Sequence, residues 1–179
     1  AMARLLEEAP QVDLRAVPIG NDIAHRLQSG EVDLTFALAT YPLAAGAHSE
    51  MLMEDSVALI MRRDHPAAAN GPPSLAAYAA LTHVTVSVFG DGSTEADAAL
   101  AAAGLERRIG LTTPHFTAAL MAVAHTDMVT TLSRAFAQQF APAFGLVLLK
   151  PPIEPTALPV TMVWHAARKH DRLLAWLRG

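Results

Sequence analysis

Two rhythms of apolar and polar residues alternate along this chain, and punctuation residues mark where one gives way to the other. Residues 2–9 are apolar with Arg4, Glu7 and Glu8 interspersed, which fits the end of an amphipathic helix stopped by Pro10. "VDLRAVPI" (12–19) sets Val12, Leu14 and Ala16 against Asp13 and Arg15, an alternation that predicts a strand. Asn21 or Asp22 then caps a helix to about Gln28, Gly30 closes it, and "VDLTFAL" (32–38) is the next strand. Helix, strand, helix, strand at this spacing predicts a parallel sheet with right-handed crossovers.

"MLMEDSVALIMRR" (51–63) is a β-prone run that reaches more than about 35 Å when extended, long enough to leave one sheet and enter another. After Pro66 and "ANGPPS" (69–74), Ser74 caps a short helix, "LAAYAAL", and a second α/β series begins. Its strands are "HVTVSVF" (83–89), "RIGLTT" (108–113), "MVTTL" (128–132) and "LVLLK" (146–150). Its helices are capped by Ser93 or Thr94, opened by Pro114, and capped by Ser133. A second long apolar strand, "LPVTMVWHA" (158–166), precedes a closing helix capped by Asp171. The pattern predicts an α/β fold of two Rossmann-like lobes joined by two crossover strands. Lobe I takes residues 1–60 plus 160–179, lobe II takes 61–159, and a cleft lies between them.

Composition narrows what such a fold does. The 179 residues suit one large domain or two small lobes. Charged residues are scarce at 17% against 52% hydrophobic, which points to an apolar face used for self-association. The net charge is −4, with 11 Arg and two Lys spread thinly, so no dense basic face exists to bind nucleic acid. The absence of cysteine excludes disulfides, thiol catalysis and Cys-based zinc sites. No stretch approaches ~20 uninterrupted apolar residues, so no transmembrane helix and no membrane partner is expected. Arg4, Glu7 and Glu8 break up any secretory signal, so the expected location is cytoplasmic.

Five segments, in order, resemble the effector-binding (regulatory) domain of LysR-type transcriptional regulators. They are "EEAPQVDLRAVPIGNDIAHRLQSGEVDLTFA" (7–37), "RRDHP" (62–66), "LTTPHFTAALMAVAHTDMVTTLSR" (111–134), "FAPAFGLVLLKPP" (140–152) and "LPVTMVWHAARKHDRLLAWLR" (158–178). The resemblance covers nearly the whole chain and implies the type 2 periplasmic-binding-protein fold, with a small effector in the cleft and a homodimer or higher oligomer. It also implies that DNA is met only through a winged helix-turn-helix domain, which this chain lacks. The family's domain opens with one more strand, whereas this sequence starts inside the first helix. Unpaired backbone groups are therefore expected at Leu14–Val17 or Leu34–Phe36.

In open α/β sheets a ligand sits at the carboxyl ends of the strands, against helix N-termini. That rule selects Thr40 and Tyr41, the loop from Ser87 to Gly92, the turn from Thr112 to Phe116, and Thr130 to Ser133. The effector-binding candidates are Thr40, Tyr41, Ser87, Thr113, His115, Phe116, Thr131 and Leu132. The resemblance points chiefly to Thr113, His115 and Phe116. Hydroxyls beside apolar side chains suit a small aromatic or carboxylate effector. Plainer readings stand beside these: Thr113 and Ser133 as helix caps, Phe116 as core, His115 as a surface histidine.

No catalytic residue, cofactor or metal site is expected. His165 and His170 are five positions apart with no HExxH, "GDGST" (90–94) lacks the GK[ST] of a phosphate loop, and no G-x-S-x-G occurs. Asp97 reads as a cap or solvated-face charge, and Arg62-Arg63 as an ion-pairing or effector-contacting pair. The sensing domain of a regulator is thus the leading reading. A stand-alone solute-binding protein and a truncated regulator acting only through dimerisation remain alternatives.

Overall fold

The computed structural model describes residues 2–39, 43, 45–87, 94–154, 157–168 and 170–178. The described residues form seven α-helices and seven strands. Helices α1 (Met2–Glu8) and α2 (Ile23–Ser29) precede strands β1 (Thr35–Leu38) and β2 (Ala47–Arg62). Then come α3 (Leu75–Ala79), β3 (Thr82–Val86), α4 (Glu95–Ala102), β4 (Arg108–Thr113), α5 (Phe116–Ala124) and β5 (Met128–Ser133). The chain ends with α6 (Arg134–Phe140), β6 (Leu146–Leu149), β7 (Ala157–His165) and α7 (Arg172–Arg178).

Local chemistry sets these boundaries. Gly30 ends α2 in the left-handed region at φ 76°, where its N–H reaches the Leu27 carbonyl and a side chain would be strained. Ser74 caps α3 by accepting from the Ala77 N–H at 3.2 Å, and Ser133 caps α6 by accepting from Phe136 N–H at 3.1 Å. Thr94 and Asp97 form a reciprocal capping box at the start of α4.

β2 organises the sheet because it changes partners halfway along. Residues 47–56 run antiparallel to β7, with a bulge between Met51 and Met53. From Val57 onward the same strand runs antiparallel to β5 on Val57–Ile60 and to β6 on Leu59–Arg62. One hydrogen-bonded path, β1-β7-β2-β5-β3-β4, therefore contains two ladders that share a single strand. Beyond β5 the pairing turns parallel, with β3 against both β5 and β4.

Period-two alternation along β2 feeds two cores on opposite faces of the second ladder. Ile60 packs with Val84, Leu120, Val123 and Leu132 under α5 and α6. Leu59 and Met61 pack with Tyr78, Leu100, Val129 and Ile153 under α3 and α4. Each such fully buried side chain contributes about 1.5–3 kcal/mol through removal of apolar surface from water. The first ladder holds a smaller core of Leu27, Val32 and Val163.

Two expectations need correcting in this first part. Residues 12–19 are irregular rather than a strand, and Leu14 is half exposed. A strand needs a neighbour for its backbone groups, and among the described residues no ladder includes this segment. β1 pairs antiparallel with β7, Thr35 opposite Val163, so the first series forms no parallel sheet. Phe36 on β1 is left largely exposed, as expected for an open edge. The parallel arrangement holds for β3, β4 and β5 alone.

Candidate functional site

The parallel strands β3, β4 and β5 all point their carboxyl ends the same way, toward the starts of α4, α5 and α6. A cavity of ≈ 1040 Å³ opens there and runs back to the first ladder. Val57, Val84 and Leu132 face it from the second ladder; Leu38, Leu158 and Val160 face it from the first. Phe116 and Phe136 form an aromatic wall, their rings 5.3 Å apart.

A polar network forms another wall. Arg107, with 3% of its side chain exposed, donates from Nε to Asp97 Oδ1 at 2.7 Å and from Nη2 to Asp97 Oδ2 at 2.9 Å. Nη2 also donates to Thr94 Oγ1 at 2.9 Å, while Nη1 makes only longer approaches, to His83 Nδ1 at 3.4 Å and the Tyr78 hydroxyl at 3.5 Å. Tyr78 and Thr131 share a hydrogen bond of 2.9 Å. Burial would raise the Asp97 carboxyl, but hydrogen bonds from Arg107 and Thr94 outweigh it and hold the pKa below 3.8. Burial pushes the Tyr78 hydroxyl up, so it stays protonated. Burial, aided by the Arg107 charge, pulls His83 down to about 4.

Asp55 occupies the point where β2 changes partners. Its Oδ1 accepts from the Ala135 N–H at 3.1 Å, its Oδ2 accepts from the Ser133 hydroxyl, and the residue lines the cavity. It thereby fastens the start of α6 to the crossover.

The sequence candidates divide. Phe116, Thr131 and Leu132 line the cavity. Thr113 is buried at the end of β4, where its hydroxyl accepts from the His115 N–H at 3.2 Å; His115 is the residue just before α5, and neither residue is among the described lining. Ser87 stands just past β3, its N–H bonded to the Thr113 carbonyl at 3.1 Å, also outside the lining. Thr40 and Tyr41 lie outside the described residues. Sequence reasoning passed over Arg107, Thr85 and Asp55. Only Asp97 carried a signal, the T-x-x-D spacing from Thr94, which also announces the partner Arg107 needs.

Arg62 is engaged elsewhere, with Asp64 at 2.6 Å and Asp127 at 2.6 Å, so it braces the far end of β2. His65 beside it is buried, its Nδ1 accepting from the Ala67 N–H at 3.0 Å and its Nε2 donating to the Asp127 carbonyl at 3.1 Å. Among the described residues no group of His, Asp and Glu is placed to hold a metal, and no helix is long and apolar enough to cross a membrane.

Comparison with known proteins agrees with this architecture. The family described as the LysR substrate binding domain matches residues 1–179. The HTH-type transcriptional activator NagR of a Ralstonia species is 31% identical over 178 residues, covering 99% of this chain and 58% of that protein. The HTH-type transcriptional activator NahR of Pseudomonas putida is 30% identical over 97% of this chain and 58% of its own length. Among solved structures, the regulatory domain of MexT, a transcriptional activator in Pseudomonas aeruginosa, superposes with a TM-score of 0.81 at 30% identity, covering 99% of this chain and 85% of that one. The chain thus spans a little under three fifths of the length of the two full-length relatives. Relatives named as transcriptional activators agree with a regulatory part rather than an enzyme. With the family matched from end to end over a mixed sheet folded around a cavity, the chain belongs to the LysR substrate-binding-domain family.

Proposed function

We propose that this chain is the effector-sensing part of a LysR-type transcription regulator, and that a small ring-bearing effector occupies the ≈ 1040 Å³ cavity. One observation carries the reading: the cavity is walled by both ladders, and they share β2. A molecule touching both walls favours one relative placement of the ladders over others, which is what a ligand must do to shift a conformational equilibrium. The proposal treats residues 1–60 plus 160–179 and residues 61–159 as two lobes that close on the effector. Phe116, Thr131 and Leu132 make direct contact, and Thr40, Tyr41, Ser87, Thr113 and His115 are the further effector-binding candidates on the same reading.

The change in lobe placement passes to a homodimer or higher oligomer, and DNA is met through a winged helix-turn-helix part that these 179 residues do not include. A cytoplasmic location belongs to the same reading, since the regulator must reach its DNA. The test is a thermal-shift panel of small aromatic compounds against the chain and an Ala135→Trp variant, which adds an indole at a residue lining the cavity. Compounds that raise the melting temperature of the native chain and leave the variant unmoved support the reading. Equal shifts in both proteins, or a response to sugars and amino acids alone, contradict it.

A further inference from the structure

The described residues lining the cavity include three ionisable groups, Asp55, Glu95 and Arg107. Arg107 is already neutralised by both oxygens of Asp97. Two of the three helix starts that face the cavity are answered from within the chain, while α5 carries no side-chain cap. Asp97 accepts from the Thr94 N–H at 2.8 Å at the head of α4, and Asp55 accepts from the Ala135 N–H at the head of α6. An incoming carboxylate would meet two carboxylates in the wall and, among the described lining residues, no uncompensated cation. Losing its hydration there carries a large cost that neutral donors such as Thr131 and Gln139 repay only in part.

One polar group in the wall does lack a partner. Thr85 lines the cavity at the end of β3, is 3% exposed, and among the described residues its Oγ1 has no hydrogen-bond partner. The β3–β5 register places it beside Thr131, one step beyond the Val84–Thr130 pair. A buried hydroxyl without a partner costs free energy, and a single staggered step about χ1 re-aims it.

We propose that Thr85 and Thr131 form the polar end of the effector site, and that the effector is a neutral aromatic molecule with one hydroxyl or carbonyl oxygen, not a carboxylate. The inference rests on the sensing reading above and sharpens it. The ring lies against Phe116 and Phe136, and its oxygen completes the hydrogen bonding of Thr85.

The test compares 4-phenylphenol with biphenyl-4-carboxylate, a pair matched in ring size, by calorimetric titration of the native chain and of Thr85→Val. The expected result is that the phenol binds the native chain roughly tenfold more tightly than the carboxylate. Thr85→Val weakens the phenol about fivefold while keeping or raising the melting temperature, because it removes an unsatisfied hydroxyl. A carboxylate that binds as tightly as the phenol or tighter overturns the neutral-ligand inference and leaves the sensing cavity standing. Unchanged phenol affinity in Thr85→Val overturns the role of Thr85. If neither compound binds at concentrations on the order of 1 mM, the cavity reading itself fails and takes this inference with it.

Discussion

Acidification should weaken this fold through one buried imidazole. His83 is fully buried in β3, with its ring 4.5 Å from that of Tyr78. Nε2 donates to the Tyr78 carbonyl at 2.9 Å, which leaves Nδ1 unprotonated toward Arg107 at 3.4 Å. A proton on Nδ1 would place one buried cation against another. Burial first, and the Arg107 charge in addition, lower the pKa from 6.5 to about 4. Because the folded value is depressed, the unfolded chain takes up the proton first as pH falls. The stability contributed by neutral His83 is complete above pH 6.5 and is lost progressively toward pH 4. At ~1.36 kcal/mol per tenfold change in proton affinity, the loss is about 3 kcal/mol.

Urea unfolding of the native chain and of His83→Gln across this range measures it, since contributions from the other histidines cancel in the difference. The native chain's advantage over the variant should shrink by about 3 kcal/mol as pH falls to about 4. Asp97, held below 3.8, adds its own loss only at still lower pH. A difference that stays flat across the range, or an imidazole of His83 that titrates near 6.5 by NMR, refutes the reasoning.

Two substitutions probe the same wall and its neighbour. Arg107→Met leaves Asp97 and Thr94 without their donor and should cost about 3 kcal/mol in chemical denaturation, because Asp97 is two-thirds buried; adding Asp97→Leu should recover part of the loss. Gly110→Ala should cost about 2 kcal/mol by the same measurement. A Cβ there would lie 2.7 Å from Thr82 Cγ2 and 2.9 Å from Met128 Sδ, and a β-branched threonine in a strand yields little.

Much of the second α/β series was legible because its signals are local. Ser74, Thr94 and Ser133 each cap the helix their position announces, and β3, β4 and β5 pair in parallel as the alternation of strands and helices implies. The length of the 51–63 run revealed a strand that serves two ladders, and the structure extends it to residues 47–62. The segment 12–19 misled because alternation records which face of a strand is apolar and says nothing about whether a neighbour is there to bond it.

The site was half legible for a related reason. The strand-end rule finds Phe116, Thr131 and Leu132, which stand where β5 and α5 meet the cavity. Thr85, next to last in β3, and Arg107, just before β4, reach the same wall through a register and an ion pair with Asp97 that neighbouring residues do not encode. Asp55 becomes notable only once β2 is seen to change partners beside it.

The most direct test of the central claim, that one ligand bridges the two ladders, is NMR of methyl-labelled protein titrated with 4-phenylphenol. The account predicts that the methyl signals of Val57 and Leu132 and those of Leu158 and Val160 move together along a single binding curve. Shifts confined to one of those two groups, or scattered over exposed methyls such as Leu14 and Leu52, would contradict it.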